Sequence, residues 1–156
     1  MSIAREHEQP LRLSAAINRD VRTQFGAICY RVRKDKVQVL LITSRGTGRW
    51  VIPKGWPIAG ATPSKSAERE AWEEAGVIGT ARPVCLGVYS YTKRDDSLSP
   101  LPCVVAVFPV KVRKLEDKFP EAGERRRKWC SPKKAAALLQ EPELAQIISR
   151  FDPRHL

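Results

Sequence analysis

Apolar positions along this chain change their period several times, and the changes divide it into elements. Residues 25–33 and 37–43 are runs rich in β-branched and aromatic side chains, joined by the charged Lys34-Asp35-Lys36, a pattern that predicts a hairpin. Trp50-Val51-Ile52 reads as a third short strand, stopped by Pro53 and followed by a loop carrying Gly55, Pro57, Gly60 and Pro63. Thr62 can cap a helix, Pro63 suits its first position and Gly76 suits the residue after its last turn, so residues 63–75 are predicted as one helix. Two further strands are expected at 84–91 and 103–112, separated by the polar stretch 92–102, and a short one at Trp129-Cys130. Helical spacing behind Pro132 and Pro142 predicts one or two closing helices over 132–139 and 142–151. Strands, helix, strands and helix in this order make an α/β sandwich with a mixed sheet, without internal repeats.

Ahead of residue 21 neither period is sustained, so residues 1–20 are expected to form a loose arm and residues 21–156 a single domain, the size that 156 residues allow for one core. No apolar run approaches the ~20 residues needed to cross a bilayer. Glu6 and Glu8 stand where a signal peptide would carry apolar residues, so the expectation is a soluble, cytoplasmic protein without a membrane partner. Lysine and arginine (28) outnumber aspartate and glutamate (17) for a net charge of +11, which points to a polyanionic partner and fits nucleic acid and polyphosphate equally. Cys29, Cys85, Cys103 and Cys130 are far apart, no CxxC occurs, and His7 and His155 lie near the two ends, so zinc-ligand spacing is missing. The four cysteines are expected to be buried free thiols in a reducing compartment.

The predicted helix holds Arg69-Glu70-Ala71-Trp72-Glu73-Glu74-Ala75-Gly76-Val77. Helical spacing places Glu70, Glu73 and Glu74 within an arc of about 100°. Such like charges three and four residues apart cost a helix a few tenths of a kcal/mol per pair, and near its C-terminus the helix dipole adds about 0.3–1 kcal/mol against each. Helix stability therefore does not explain them. A divalent cation does, because Mg²⁺ or Mn²⁺ takes hard oxygen ligands and turns the repulsion into attraction while bridging to phosphate. Ala67, Ala71 and Ala75 form a small-residue stripe beside the arc, suited to packing the helix close to a sheet, and Arg69 is placed to orient a carboxylate.

Gly55 followed by Arg69-Glu70-x-x-Glu73-Glu74-x-Gly76-Val77 resembles the Nudix box, with Ala61 standing where the box has its first glutamate. The resemblance implies a Nudix-type α/β/α sandwich and a metal-dependent hydrolase in which water attacks phosphorus. It implies Glu70 and Glu74 as metal ligands, joined by the backbone carbonyl of Lys54, with Mg²⁺ the expected ion and Mn²⁺ an alternative. Glu73 matches the family's proposed general base, Arg69 stands beside it, and Gly55 and Gly76 are the motif glycines.

The flanks resemble one branch of that family, the diphosphoinositol polyphosphate phosphohydrolases, which also hydrolyse diadenosine polyphosphates. Thr43-Ser44-Arg45 and Arg49-Trp50-Val51-Ile52-Pro53 are similar to its approach to the box, and Gly123 with Arg125-Arg126-Arg127-Lys128-Trp129 to a segment near its C-terminus. Lys54-Gly55-Trp56 stands where that branch has three glycines. A ring crowded with phosphates needs convergent cations, and arginine binds phosphate bidentately. Arg22, Ser44, Arg45, Lys93, Arg94, Arg125 and Arg127 are the candidate substrate-binding residues. An RNA 5′-end or ADP-ribose-type pyrophosphohydrolase would use the same box, whereas a non-catalytic nucleic-acid-binding module would leave the three carboxylates unexplained.

Overall fold

A computed structural model describes residues 21–94 and 100–156; the arm expected at residues 1–20 lies outside them. Strands β1 (Arg22–Arg33) and β2 (Lys36–Thr43) form the expected antiparallel hairpin, turned by Lys34 and Asp35, both in the left-handed region (φ 49° and 62°) that a two-residue turn between twisted strands requires. Then come β3 (Trp50–Val51), β4 (Lys54–Gly55) and helix α1 (Pro63–Ala75). Strands β5 (Val77–Ala81), β6 (Gly87–Lys93), β7 (Leu101–Leu115) and β8 (Arg127–Cys130) follow, and helices α2 (Pro132–Leu138) and α3 (Pro142–Ser149) close the chain.

The main sheet runs β3-β2-β1-β7-β5, with β4 on β1, β6 on β7 and β8 on β2. Only β1 and β7 pair in parallel, so the sheet is mixed. Both of its faces are covered. Ala27, Cys29, Leu40 and Ile42 pack towards Ala67, Ala71 and Ala75 of α1, while Ile28, Tyr30, Val39 and Leu41 pack towards Ala135, Leu144 and Ile148 of the closing helices. Residues that alternate faces yet are all apolar mark a strand buried on both sides. The layers are those of an α/β/α sandwich. Among the described residues no helix is long and apolar enough to cross a membrane.

Three strand expectations change. Lys54 and Gly55, expected in the loop after Pro53, form strand β4 by pairing with Gly26 and Phe25 of β1. The strand expected at 84–91 begins only at Gly87, since Val84 is exposed and outside the ladder. Strand β5, directly behind α1, has no counterpart in the sequence reading: its five residues, with Gly79 in the middle, take strand form by pairing with the long β7 across a bulge at Ile78/Gly79. Cys29, Cys103 and Cys130 are buried thiols as expected, but Cys85 is exposed, in the irregular segment ahead of β6.

Candidate active site

Helix α1 starts and ends where its local chemistry dictates. Thr62 Oγ1 accepts from the Lys65 N–H (3.3 Å), Pro63 opens the first turn, and Gly76 closes the helix at φ 69°. A side chain at Gly76 would also come within 2.5 Å of the Phe119 ring, so the position excludes others on two grounds. The alanine stripe of α1 is fully buried against the sheet, which brings the acidic arc to the edge where β4 passes.

At that edge Gly55 leaves room for a carboxylate. A Cβ there would lie 2.5 Å from one oxygen of Glu70 and closer still to its other carboxyl atoms, so the Glu70 side chain fills the space the glycine vacates. One residue earlier, the Lys54 N–H donates to Glu74 Oε1 at 3.2 Å. Glu73 turns outward, where Arg69 Nε donates to its Oε1 at 3.2 Å.

Burial pushes the Glu70 carboxyl up to about 7, helped by repulsion from Glu74, Glu73 and Glu121 and opposed by Arg125. Glu74 is raised as well, first by burial, against the pull of Arg125 and the Lys54 N–H. Two carboxylates with hard oxygens, one cradled by a glycine and both held at an electrostatic cost, are a fit for a divalent cation, which would relieve that cost. Among the described residues no three acidic, histidine or cysteine side chains close on one point. What the site offers is therefore Glu70, Glu74 and the neighbouring backbone of β4.

The NUDIX domain model matches residues 22–151, nearly all of the described chain. The chain belongs to the Nudix family. Nudix hydrolase 13, mitochondrial, of Arabidopsis thaliana is 31% identical over 163 aligned residues, which cover 89% of this chain and 81% of that one. Diphosphoinositol polyphosphate phosphohydrolase 3-alpha of Mus musculus is 28% identical, with 83% of this chain and 77% of the relative covered. Among solved structures, the Ap4A hydrolase of C. elegans superposes with a TM-score of 0.61 at 19% identity, over 87% of this chain and 99% of that one, a likeness of fold. This chain is thus a Nudix hydrolase of the α/β/α class, and enzymes of this family use divalent ions such as Mg²⁺.

Around the Nudix box the basic candidates separate. Arg125 is almost wholly buried, 3.0 Å from Glu121 and 3.5 Å from Glu74, and donates to the Thr43 carbonyl. Arg127 donates to the carbonyls of Ala75 (3.0 Å) and Glu116 (2.8 Å) and pairs with Asp117, so it braces the end of α1 against the 116–119 segment. Both are engaged within the fold. Arg45 is 60% exposed, 3.6 Å from Glu121 and from Glu124. The Ser44 hydroxyl shares a hydrogen bond with Thr47. Lys93 and Arg94 are exposed at the end of β6, Lys93 with its ammonium 5.0 Å from the centre of the exposed Trp56 ring, and Arg22 opens β1 at partial exposure.

Three participants were not legible in the sequence. Glu121 reaches the cluster from the loop after β7, where its own N–H donates to the Glu73 carbonyl (3.0 Å). Arg49 pairs with Glu141, at the start of α3, leaving the second oxygen of Glu141 buried without a partner. The Lys54 side chain, at a position the sequence marks only through its backbone, is half-buried with its ammonium 5.0 Å from the Tyr91 ring centre. None of the three belongs to a local pattern. Each depends on segments far apart in the chain meeting in space, 92 residues apart for Arg49 and Glu141.

Proposed function

We propose that this Nudix hydrolase cleaves a phosphoanhydride bond in a small substrate bearing several phosphates, of the diphosphoinositol polyphosphate or diadenosine polyphosphate class. The observation that carries the reading is the Glu70 carboxylate seated against Gly55 with Glu74 beside it, both raised in pKa by burial. Glu70, Glu74 and the Lys54 carbonyl would hold Mg²⁺, or Mn²⁺ in its place. The ion, when bound, supplies water activation and neutralises charge on the leaving phosphate. Glu73, held by Arg69, takes the proton of the attacking water, and Arg125, itself held by Glu121, fixes Glu74 from the loop side. Substrate phosphates that project past the metal meet Arg45, Ser44, Lys93, Arg94 and Arg22 on the rim. The mouse relative's name and the +11 charge support a crowded polyphosphate.

The second reading, a nucleotide substrate of the diadenosine polyphosphate, ADP-ribose or RNA 5′-end type, is favoured by Trp56. Its exposed ring follows Gly55 and offers a face on which a nucleobase can stack. The four free thiols fit a reducing compartment such as the cytoplasm.

The test is Mg²⁺-dependent phosphate or nucleotide release from diphosphoinositol phosphates, diadenosine polyphosphates, ADP-ribose and 5′-triphosphate RNA, with Glu74→Gln as the control. The variant should lose on the order of 100-fold or more in turnover while melting within a few degrees of the parent. Near-parental turnover of the variant in saturating Mg²⁺ would overturn the reading.

A further inference from the structure

Among the described residues the site contains one cation that the fold does not explain. Arg125 is paired with Glu74 and Glu121, and Arg49 with Glu141. The Lys54 ammonium makes no hydrogen bond or ion pair: it rests over the face of Tyr91, whose hydroxyl is fixed by donating to Gln24 Oε1 at 2.6 Å, and Glu74 and Glu141 attract it without pairing. A structural role would have a ready partner in the second oxygen of Glu141, which is buried and attracts the lysine electrostatically, yet that oxygen is bonded to nothing. Holding an ammonium partly inside a fold without a hydrogen-bonded anion costs stability, and an aromatic face offsets only part of that cost.

The position also departs from the branch that the flanks resemble. Where that branch has three glycines this chain has Lys54-Gly55-Trp56, keeping glycine only where the Glu70 carboxylate needs the space. The residue on one side of Gly55 sends its amine inward beside Glu74, and the residue on the other exposes its ring.

We infer that the Lys54 ammonium, seated on Tyr91 beside Glu74, is a receptor for one phosphate group of the substrate. The inference rests on the reading of this site as a phosphoanhydride hydrolase and deepens it, because it places a cation next to the carboxylates rather than on the exposed rim. A lysine is suited to this: a compact point charge with three donors accepts a phosphate oxygen without demanding the planar approach of a guanidinium. The unpaired state in the absence of substrate is then the binding energy held in reserve for the anion.

The experiment is calorimetric titration of inorganic pyrophosphate into the full chain at saturating Mg²⁺, comparing the parent with Lys54→Met and Lys54→Gln, together with Mg²⁺ titrations and melting curves of the ligand-free proteins. Loss of one charged hydrogen bond should raise the pyrophosphate Kd by about 10- to 100-fold. Mg²⁺ affinity should not fall, since the carboxylates and the backbone carbonyl are untouched and a positive charge beside Glu74 is removed, and the ligand-free variants should melt no lower than the parent. An unchanged pyrophosphate Kd overturns the inference, and so does a lowered melting temperature or misfolding in both variants, which would make the lysine structural. A parent chain that binds no pyrophosphate overturns it too. If the parent binds pyrophosphate through Lys54 but hydrolyses none of the phosphoanhydrides tested, the hydrolase reading fails while the receptor stands.

Discussion

Replacing Gly55 by alanine tests the site with one methyl group. The new Cβ would lie 2.5 Å or less from three carboxyl atoms of Glu70, where ordinary contact is about 3.5–4.0 Å, so the carboxylate must retreat by about 1 Å or more. The obstructing atoms are the end of a flexible side chain and not backbone, so the chain can yield. An off-rotamer glutamate costs about 0.5–1.5 kcal/mol. Gly55 does not occupy the left-handed region, so alanine fits its backbone and returns about 0.4–1 kcal/mol through the unfolded state. The two nearly cancel, leaving a melting shift within about 4 °C for a domain of this size. Catalysis does not share this tolerance, because a misplacement of about 1 Å at a catalytic group costs on the order of 100-fold. Gly55→Ala should therefore be a folded protein with kcat/KM reduced about 100-fold and weakened Mg²⁺ affinity. Calorimetric melting, Mg²⁺ titration and steady-state hydrolysis at saturating Mg²⁺ measure the three quantities. Parental kcat/KM in a folded variant would refute the placement of Glu70 at the reacting centre.

Arg127→Ala removes the two donations to the Ala75 and Glu116 carbonyls, so about 1–3 kcal/mol of stability should go, read by denaturant unfolding, with any loss of activity equal across substrates. Arg45→Ala, at a side chain 60% exposed, should change stability by less than about 0.5 kcal/mol but lower kcat/KM more for a diphosphoinositol polyphosphate than for ADP-ribose at fixed ionic strength. Equal losses on both substrates would remove Arg45 from the phosphate-binding rim. A thiol reagent should modify Cys85 rapidly in the native protein and reach Cys29, Cys103 and Cys130 only after unfolding; rapid reaction of a second thiol would contradict their burial.

What the sequence by itself determined is what short spacings determine. Thr62, Pro63 and Gly76 bound α1 because capping is decided within one turn, and the 3.6-residue period puts Glu70, Glu73 and Glu74 on one arc and the alanines on another. The Nudix box is legible for the same reason: its residues lie between Gly55 and Val77 on one loop and one helix. The hairpin and the doubly buried strands declare themselves by apolar runs. Strand β5 does not, because five residues with a central glycine become a strand only when β7 supplies the partner. The arginines at 125 and 127 look alike in the sequence as members of one basic run. Tertiary structure separates their work, burying Arg125 against Glu74 and Glu121 and turning Arg127 to the end of α1. Lys54 reads as a backbone position beside the box, and only the tertiary structure, with β4 paired to β1, shows its amine resting on Tyr91 of β6. A charge acquires its role from the partners that surround it, and for these residues the partners come from segments that no local pattern connects.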